Sequence, residues 1–224
     1  MDPAALVRQG YNRISDDYLE LRRGHASDGR LLRDLERLLP QRAKVLDAGC
    51  GAGVPITRRL SRSFDVLGVD FAEAQIARAR ENVPRARFLC ADMTSLDLPA
   101  ASFDGICCVY SMIHIPRRLH ARTLRNFARM LTPSGLLLVC LGAEDLPAQF
   151  EDDYLGVPMY WSHFDAATNL ALVRRAGFRL IWSRLVRDAT DVRSHHLFVL
   201  ARRRRTPQRK REGRPGRPRA SAKG

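Results

Sequence analysis

The chain has 224 residues, enough to bury a full core in one α/β domain without disulfide or metal staples. Its hydrophobic fraction of 45% is ordinary for a soluble domain, and its longest apolar stretch (135–142) is far shorter than the ~18 residues that span a bilayer. The formal charge of +14 suggests a nucleic-acid partner until it is located: residues 202–224 hold eleven Lys/Arg against one Glu, so they carry +10 and leave +4 for everything before them.

That basic stretch contains Pro, Gly and Arg but no aliphatic residue larger than Ala, so it reads as a disordered tail beyond a domain of residues 1–201. Asp2, Asp16, Asp17 and Glu20 interrupt the N-terminal segment, which reads against a secretory leader. The cysteines (Cys50, Cys90, Cys107, Cys108 and Cys140) are odd in number and lack CxxC spacing. They read as reduced thiols of a cytoplasmic protein.

Val7, Tyr11, Ile14, Tyr18 and Leu21 recur at three- and four-residue spacing, the stripe of one amphipathic helix. A second helix carries Leu31, Leu32, Leu35, Leu38 and Leu39 and stops at Pro40; together these make an N-terminal lid over residues 1–40. Strand-like runs then follow at Lys44–Asp47, Val66–Asp70, Arg87–Cys90, Gly105–Val109 and Leu136–Leu141. Helical segments lie between them near Pro55–Arg62, Ala72–Asn82 and Arg118–Leu131. Short apolar strands alternating with helices predict a parallel sheet covered on both faces. Residues 142–164, rich in Pro, Gly and aromatics, read as a long loop, and a helix from Asp165 to Ala176 follows. Arg179–Val186 and His195–Ala201 are too close for a helical crossover, so they pair antiparallel. The fold class is therefore α/β, a Rossmann-like sheet of seven strands: five parallel plus a C-terminal hairpin.

In KVLDAGCGAG a strand runs into Gly49, Gly51 and Gly53, and a helix opens near Pro55. Glycines suit a sharp turn and a close ligand, and Asp70 ends the next strand where an acid can grip ribose hydroxyls. The dinucleotide spacing GxGxxG fails in both registers, because the required third glycine falls on Val54 or on Ile56. Asp47, two residues before the first glycine, would repel a pyrophosphate but attract a cation. A ligand with an ammonium and a sulfonium fits better than NAD.

VLDAGCGAG resembles motif I of class I S-adenosylmethionine-dependent methyltransferases, and LGVDFAEAQI resembles the motif that follows it. CADMTSLDLPAASFDGI resembles the adenine-binding loop and the entry to strand four, and LTPSGLLLV the turn into strand five. The resemblance covers roughly residues 10–200 and implies S-adenosyl-L-methionine as cofactor. It implies that Asp47 and the loop Gly49, Cys50, Gly51, Gly53 hold the methionine part and Asp70 the ribose. Phe71 would lie against adenine, with Asp92 accepting from the adenine amino group and Met93 beside it; ordinary core packing is the alternative for Phe71 and Met93.

After strand four the chain reads VYSMIHIP. It has no NPPY-type motif for a planar amino group, no Asp-Asn pair for a divalent metal and no Pro-Cys nucleophile, so no metal is expected. Tyr110, Ser111 and His114 remain, and YSMIHIPRRLH resembles a stretch of a bacterial subgroup of small methyltransferases, as PMYWSHFD does that subgroup's loop after strand five. His114 is a candidate base, with a packed core histidine as the alternative. His163, beside Tyr160 and Trp161, is a second candidate on an acceptor wall, with a packed loop ahead of an N-cap at Asp165 as the alternative. Tyr11 and Tyr18 would close over the cofactor, or simply pack. The leading acceptor class is a small organic molecule, with RNA or protein contacted through the basic tail as the alternative. No membrane partner is expected, and the motifs leave the oligomeric state open.

Overall fold

The structure is a computed structural model, and it describes residues 2–23, 28–187 and 194–205. The helices are α1 (Pro3–Arg13), α2 (Ser15–Arg23), α3 (Asp28–Leu38), α4 (Ile56–Leu60), α5 (Glu73–Asn82), α6 (His120–Met130) and α7 (Ala166–Arg175). The strands are β1 (Lys44–Ala48), β2 (Asp65–Asp70), β3 (Arg87–Cys90), β4 (Phe103–Cys108), β5 (Leu131–Gly142), β6 (Leu146–Tyr154), β7 (Val157–His163), β8 (Phe178–Arg187) and β9 (His195–Arg203). Seven of them form one sheet in the order β3-β2-β1-β4-β5-β9-β8. β1 to β5 run parallel, and β9 lies antiparallel to both β5 and β8, as expected from the sequence.

Alternation along the central strands builds two cores. Leu46, Ile106, Leu137, Val139 and Leu141 pack with Leu124 and Phe127 of α6 and Val173 of α7. Val45, Cys107, Leu136, Leu138 and Cys140 pack with Leu31, Leu32 and Leu35 of α3 and Leu60 of α4. A strand buried on both faces reads as a continuous apolar run, which is why β5 was legible in the sequence. Cys90 is exposed, whereas the other four cysteines are buried.

Four local expectations are corrected. The N-terminal stripe is two helices rather than one: α1 closes at Ile14, and α2 begins at Ser15. The stripe survives the break because Tyr11, Ile14 and Tyr18 still face one apolar cluster. Of the 1–40 segment, α3 packs on the sheet and does not sit over the cavities described below.

The 142–164 stretch is a hairpin, not a loop: β6 and β7 pair antiparallel as a separate two-stranded sheet. Its turn is the two-residue kind with positive φ at both positions, 55° at Leu155 and 82° at Gly156. A leucine at the first turn position hides that signal in the sequence. Finally, β9 continues to Arg203, so the first arginines of the basic stretch belong to the sheet; Arg202 Nη1 donates to the Ser134 carbonyl at 3.0 Å. The rest of the expected tail, 206–224, lies outside the described residues.

The hairpin packs back on α1, where Leu6, Val7, Tyr11 and Ile14 bury against Val157, Met159 and Tyr160. A side chain at Gly156 would meet nothing within 4 Å, so a substitution there tests the turn's backbone alone. Gly156→Ala should lower the unfolding free energy by about 1 kcal/mol, the cost of a left-handed non-glycine residue, read in urea melts. An unchanged melt would mean that the turn is not held in this form.

Candidate active site

The order β3-β2-β1-β4-β5 reverses direction between β1 and β4, and ligands of open α/β sheets bind at the carboxyl ends of the strands beside such a point. A cavity of about 160 Å³ lies there. Its wall includes Gly49, Gly51, Asp70, Phe71, Asp92, Met93 and Ser111, and Tyr11 and Tyr18 close it from the N-terminal helices. Spacing along the sequence had brought most of these together on paper; the sheet brings them together in space.

Gly49 makes the cavity possible. Its φ is +77°, and a Cβ there would lie 2.3 Å from Ser111 Cβ, so the end of β1 and the exit of β4 touch only because this residue has no side chain. Ser111 donates to the Ala48 carbonyl at 3.1 Å and so braces the loop from below. Asp70 braces it from the side. One carboxylate oxygen accepts from Gly51 N at 2.9 Å and the other from Ala72 N at 3.0 Å. Burial pushes the Asp70 carboxyl up, and those two N–H groups oppose the rise.

Three expected contacts sit elsewhere. Asp47 is buried and faces Thr57, whose hydroxyl donates to it at 2.5 Å; it is not part of the cavity wall. Burial pushes its carboxyl up to about 7, against the lowering effect of the Thr57 bond. Gly53 is where helix α5 packs on the loop, since a Cβ there would meet Val83 at 3.0 Å. Cys50 lines a small neighbouring pocket that shares Gly49, Gly51 and Tyr110 with the first cavity.

A second, larger cavity of about 480 Å³ adjoins the first. Tyr11, Tyr18, Tyr110 and His114 line both, so these four side chains stand where the two spaces meet. The hairpin and β9 add Glu151, Tyr154, Trp161, His163 and His196 to its wall, and Arg22, Ile113, Glu144 and Asp145 line it as well. Tyr154 and Glu151 were not legible in sequence because the segment carrying them read as loop; the alternating burial of β7 is the signal that could have found it.

His114 holds this junction together. Nδ1 lies 2.9 Å from the Tyr160 carbonyl, which can only accept, so Nδ1 carries the proton. Nε2 is then the acceptor, and the Tyr11 hydroxyl donates to it at 2.8 Å. Burial pushes the imidazole down to about 4, so it is neutral near pH 7. The ring also lies against Trp161, with centroids 4.3 Å apart. Tyr110 has a φ of 54°, rare for an aromatic residue and a form of strain typical of functional sites. Arg22 sits 4.3 Å above its ring. His163 donates from Nδ1 to the Glu144 carbonyl at 2.7 Å and lines only the larger cavity; burial lowers its pKa.

The comparisons with known proteins agree with this geometry. A methyltransferase-domain family model matches residues 45–135, the span from β1 to the glycine of β5. The chain is 24% identical over 197 residues to the putative methyltransferase YqeM of Bacillus subtilis, covering 83% of this chain and 78% of that protein. Over residues 45–135 the chain thus matches a methyltransferase domain, and the relatives it is similar to are named as methyltransferases. It is 37% identical over 118 residues to 27-O-demethylrifamycin SV methyltransferase of Amycolatopsis mediterranei, covering 48% of this chain and 42% of that protein. It thus spans less than half the length of that relative. The fold is shared with 1,6-didemethyltoxoflavin-N1-methyltransferase of Burkholderia thailandensis, with a TM-score of 0.71 at 24% identity, over 90% of this chain and 88% of that one.

The buried Asp47 has a pH signature. Folding favours its neutral form, so its contribution is complete below about pH 4 and is lost as pH rises towards 7. Relative to wild type, Asp47→Asn should gain about 2–4 kcal/mol of unfolding free energy between pH 4 and 7 in cofactor-free protein. A difference that stays flat across that window would show that Asp47 is not held as a buried acid.

Proposed function

We propose that this protein transfers a methyl group from S-adenosylmethionine to a small organic acceptor held in the larger cavity. The observation that carries the reading is the wall of Tyr11, Tyr18, Tyr110 and His114 common to both cavities. It would put a donor on one side and an acceptor on the other within reach of each other. The first cavity suits the cofactor chemically. Gly51 leaves open surface for a ligand to lie against the backbone, and Asp70 and Asp92 offer carboxylates to hydroxyl and amino donors. When bound, the cofactor supplies an already activated methyl on a sulfonium, so positioning and exclusion of water supply most of the catalysis.

Among the described residues the acceptor side has three carboxylates, from Glu144, Asp145 and Glu151, against one guanidinium, that of Arg22. Asp145 is paired with Arg117 at 2.7 Å, and Glu151 accepts from Trp161 Nε1 at 2.7 Å. An anionic acceptor is disfavoured by that balance, and the rings of Tyr11, Tyr110, Tyr154 and Trp161 favour a flat one. Relatives point the same way: one is named for a rifamycin precursor and another for a phytyl hydroquinone, both small molecules. Where the acceptor arrives protonated, Tyr11 is placed to pass the proton on. Its oxygen would accept from the acceptor as its own proton moves to Nε2 of His114, with the Tyr160 carbonyl holding the ring. His163 is a second proposed base, on the hairpin side of the same cavity.

Two measurements test this. Calorimetry with S-adenosylhomocysteine should give a dissociation constant near the micromolar range, and Asp70→Ala should weaken it by about 1.5–3 kcal/mol. NADH binding in its place, with Asp70→Ala silent, would overturn the reading. Deleting residues 206–224 should leave both cofactor affinity and turnover on a small acceptor intact. A loss of turnover on truncation that added salt reproduces in the full chain would favour a nucleic-acid acceptor instead.

A further inference from the structure

Gln75 is 1% exposed, yet it lies on the wall of the cofactor cavity. Its Nε2 donates to the Tyr11 carbonyl at 3.3 Å. A carbonyl only accepts, so the nitrogen must face Tyr11, and this settles which way round the amide lies. The oxygen is thereby turned to the other side, where it has no hydrogen-bond partner among the described residues. A Cβ built on Gly51 would lie 3.6 Å from it, so the oxygen borders the glycine turn against which a ligand rests. A buried amide oxygen without a donor is costly unless a ligand supplies one.

Asp70 stands across the same turn, and each of its oxygens already accepts one backbone N–H, from Gly51 and from Ala72. A ribose carries two adjacent hydroxyl donors. An acceptor-only amide oxygen beside Gly51 complements a carboxylate that is already half engaged.

We propose that Gln75 Oε1 accepts a hydrogen bond from a ribose hydroxyl of the bound cofactor, which makes Gln75 a further cofactor-binding residue. This rests on the reading of the smaller cavity as the cofactor site. Because the same amide holds the Tyr11 carbonyl, one side chain then touches both the cofactor and the helix that covers it.

The test is a ligand-by-variant cycle in calorimetry or competition binding. Wild type and Gln75→Met are each titrated with S-adenosylhomocysteine, with 5′-methylthioadenosine, and with the 2′,3′-dideoxy form of the latter. The variant should bind the first two about 3- to 10-fold more weakly, the effect of one lost hydrogen bond, and the dideoxy compound as wild type does. Equal affinity for all three, a loss confined to S-adenosylhomocysteine, or an equal loss with the dideoxy compound would each overturn the proposal. Failure of wild type to bind S-adenosylhomocysteine would instead overturn the cofactor reading itself. Gln75→Leu is run in parallel, with the same expected pattern, so that poor folding of one variant does not decide the result.

Discussion

One imidazole pins three segments that are remote in sequence. His114 sits in a 3-10 turn after β4, its Nδ1 donates to the hairpin at Tyr160, and its Nε2 accepts from Tyr11 on α1. Both nitrogens are engaged in a buried site, where an unpaired polar atom is expensive, so the three segments are held to one arrangement. At rest the ring is neutral and the Tyr11 hydroxyl is the donor; a proton gained at Nε2 would reverse that bond, with the hydroxyl oxygen accepting. The low pKa imposed by burial keeps that from happening over the ordinary range. The position and closure of the larger cavity follow from this contact, since Tyr11, His114 and Trp161 all line it.

The parts of the fold visible in the sequence are those whose signals are local. The β-strands of the central sheet are continuous apolar runs because helices cover both faces, and α7 announces its start at Asp165, whose side chain does accept from Thr168 N at 2.9 Å. The glycine turn and Asp70 were legible because the distance from the end of β1 to the end of β2 is fixed by one strand–helix–strand unit. Phe71, Asp92 and Met93 were singled out from their order along the chain, and all three line the smaller cavity.

What was illegible depends on tertiary juxtaposition. Gln75 looks like one more polar helix residue, and only the packing of α1 over α5 makes it a wall. Asp47 stands in the right place in the sequence, but the side chain turns to Thr57, ten residues on, which no spacing rule reports. The hairpin was missed because Phe150, Asp152 and Asp153 of β6 are exposed, so the strand lacks a buried alternation to betray it. Position within a motif locates a backbone; the direction of a side chain is decided by what else is packed there.

The hairpin has one more consequence. Its two strands pair with each other and with no strand of the main sheet, so its register is set by its own turn. Residues on it can be exchanged without shifting a single pairing in the seven-stranded sheet on which the glycine turn depends. On the proposed reading of the larger cavity, selection for a new acceptor can therefore act on Glu151, Tyr154, Trp161 and His163 as a nearly independent unit. The donor-binding half stays unchanged, provided that the Tyr160 carbonyl still meets His114.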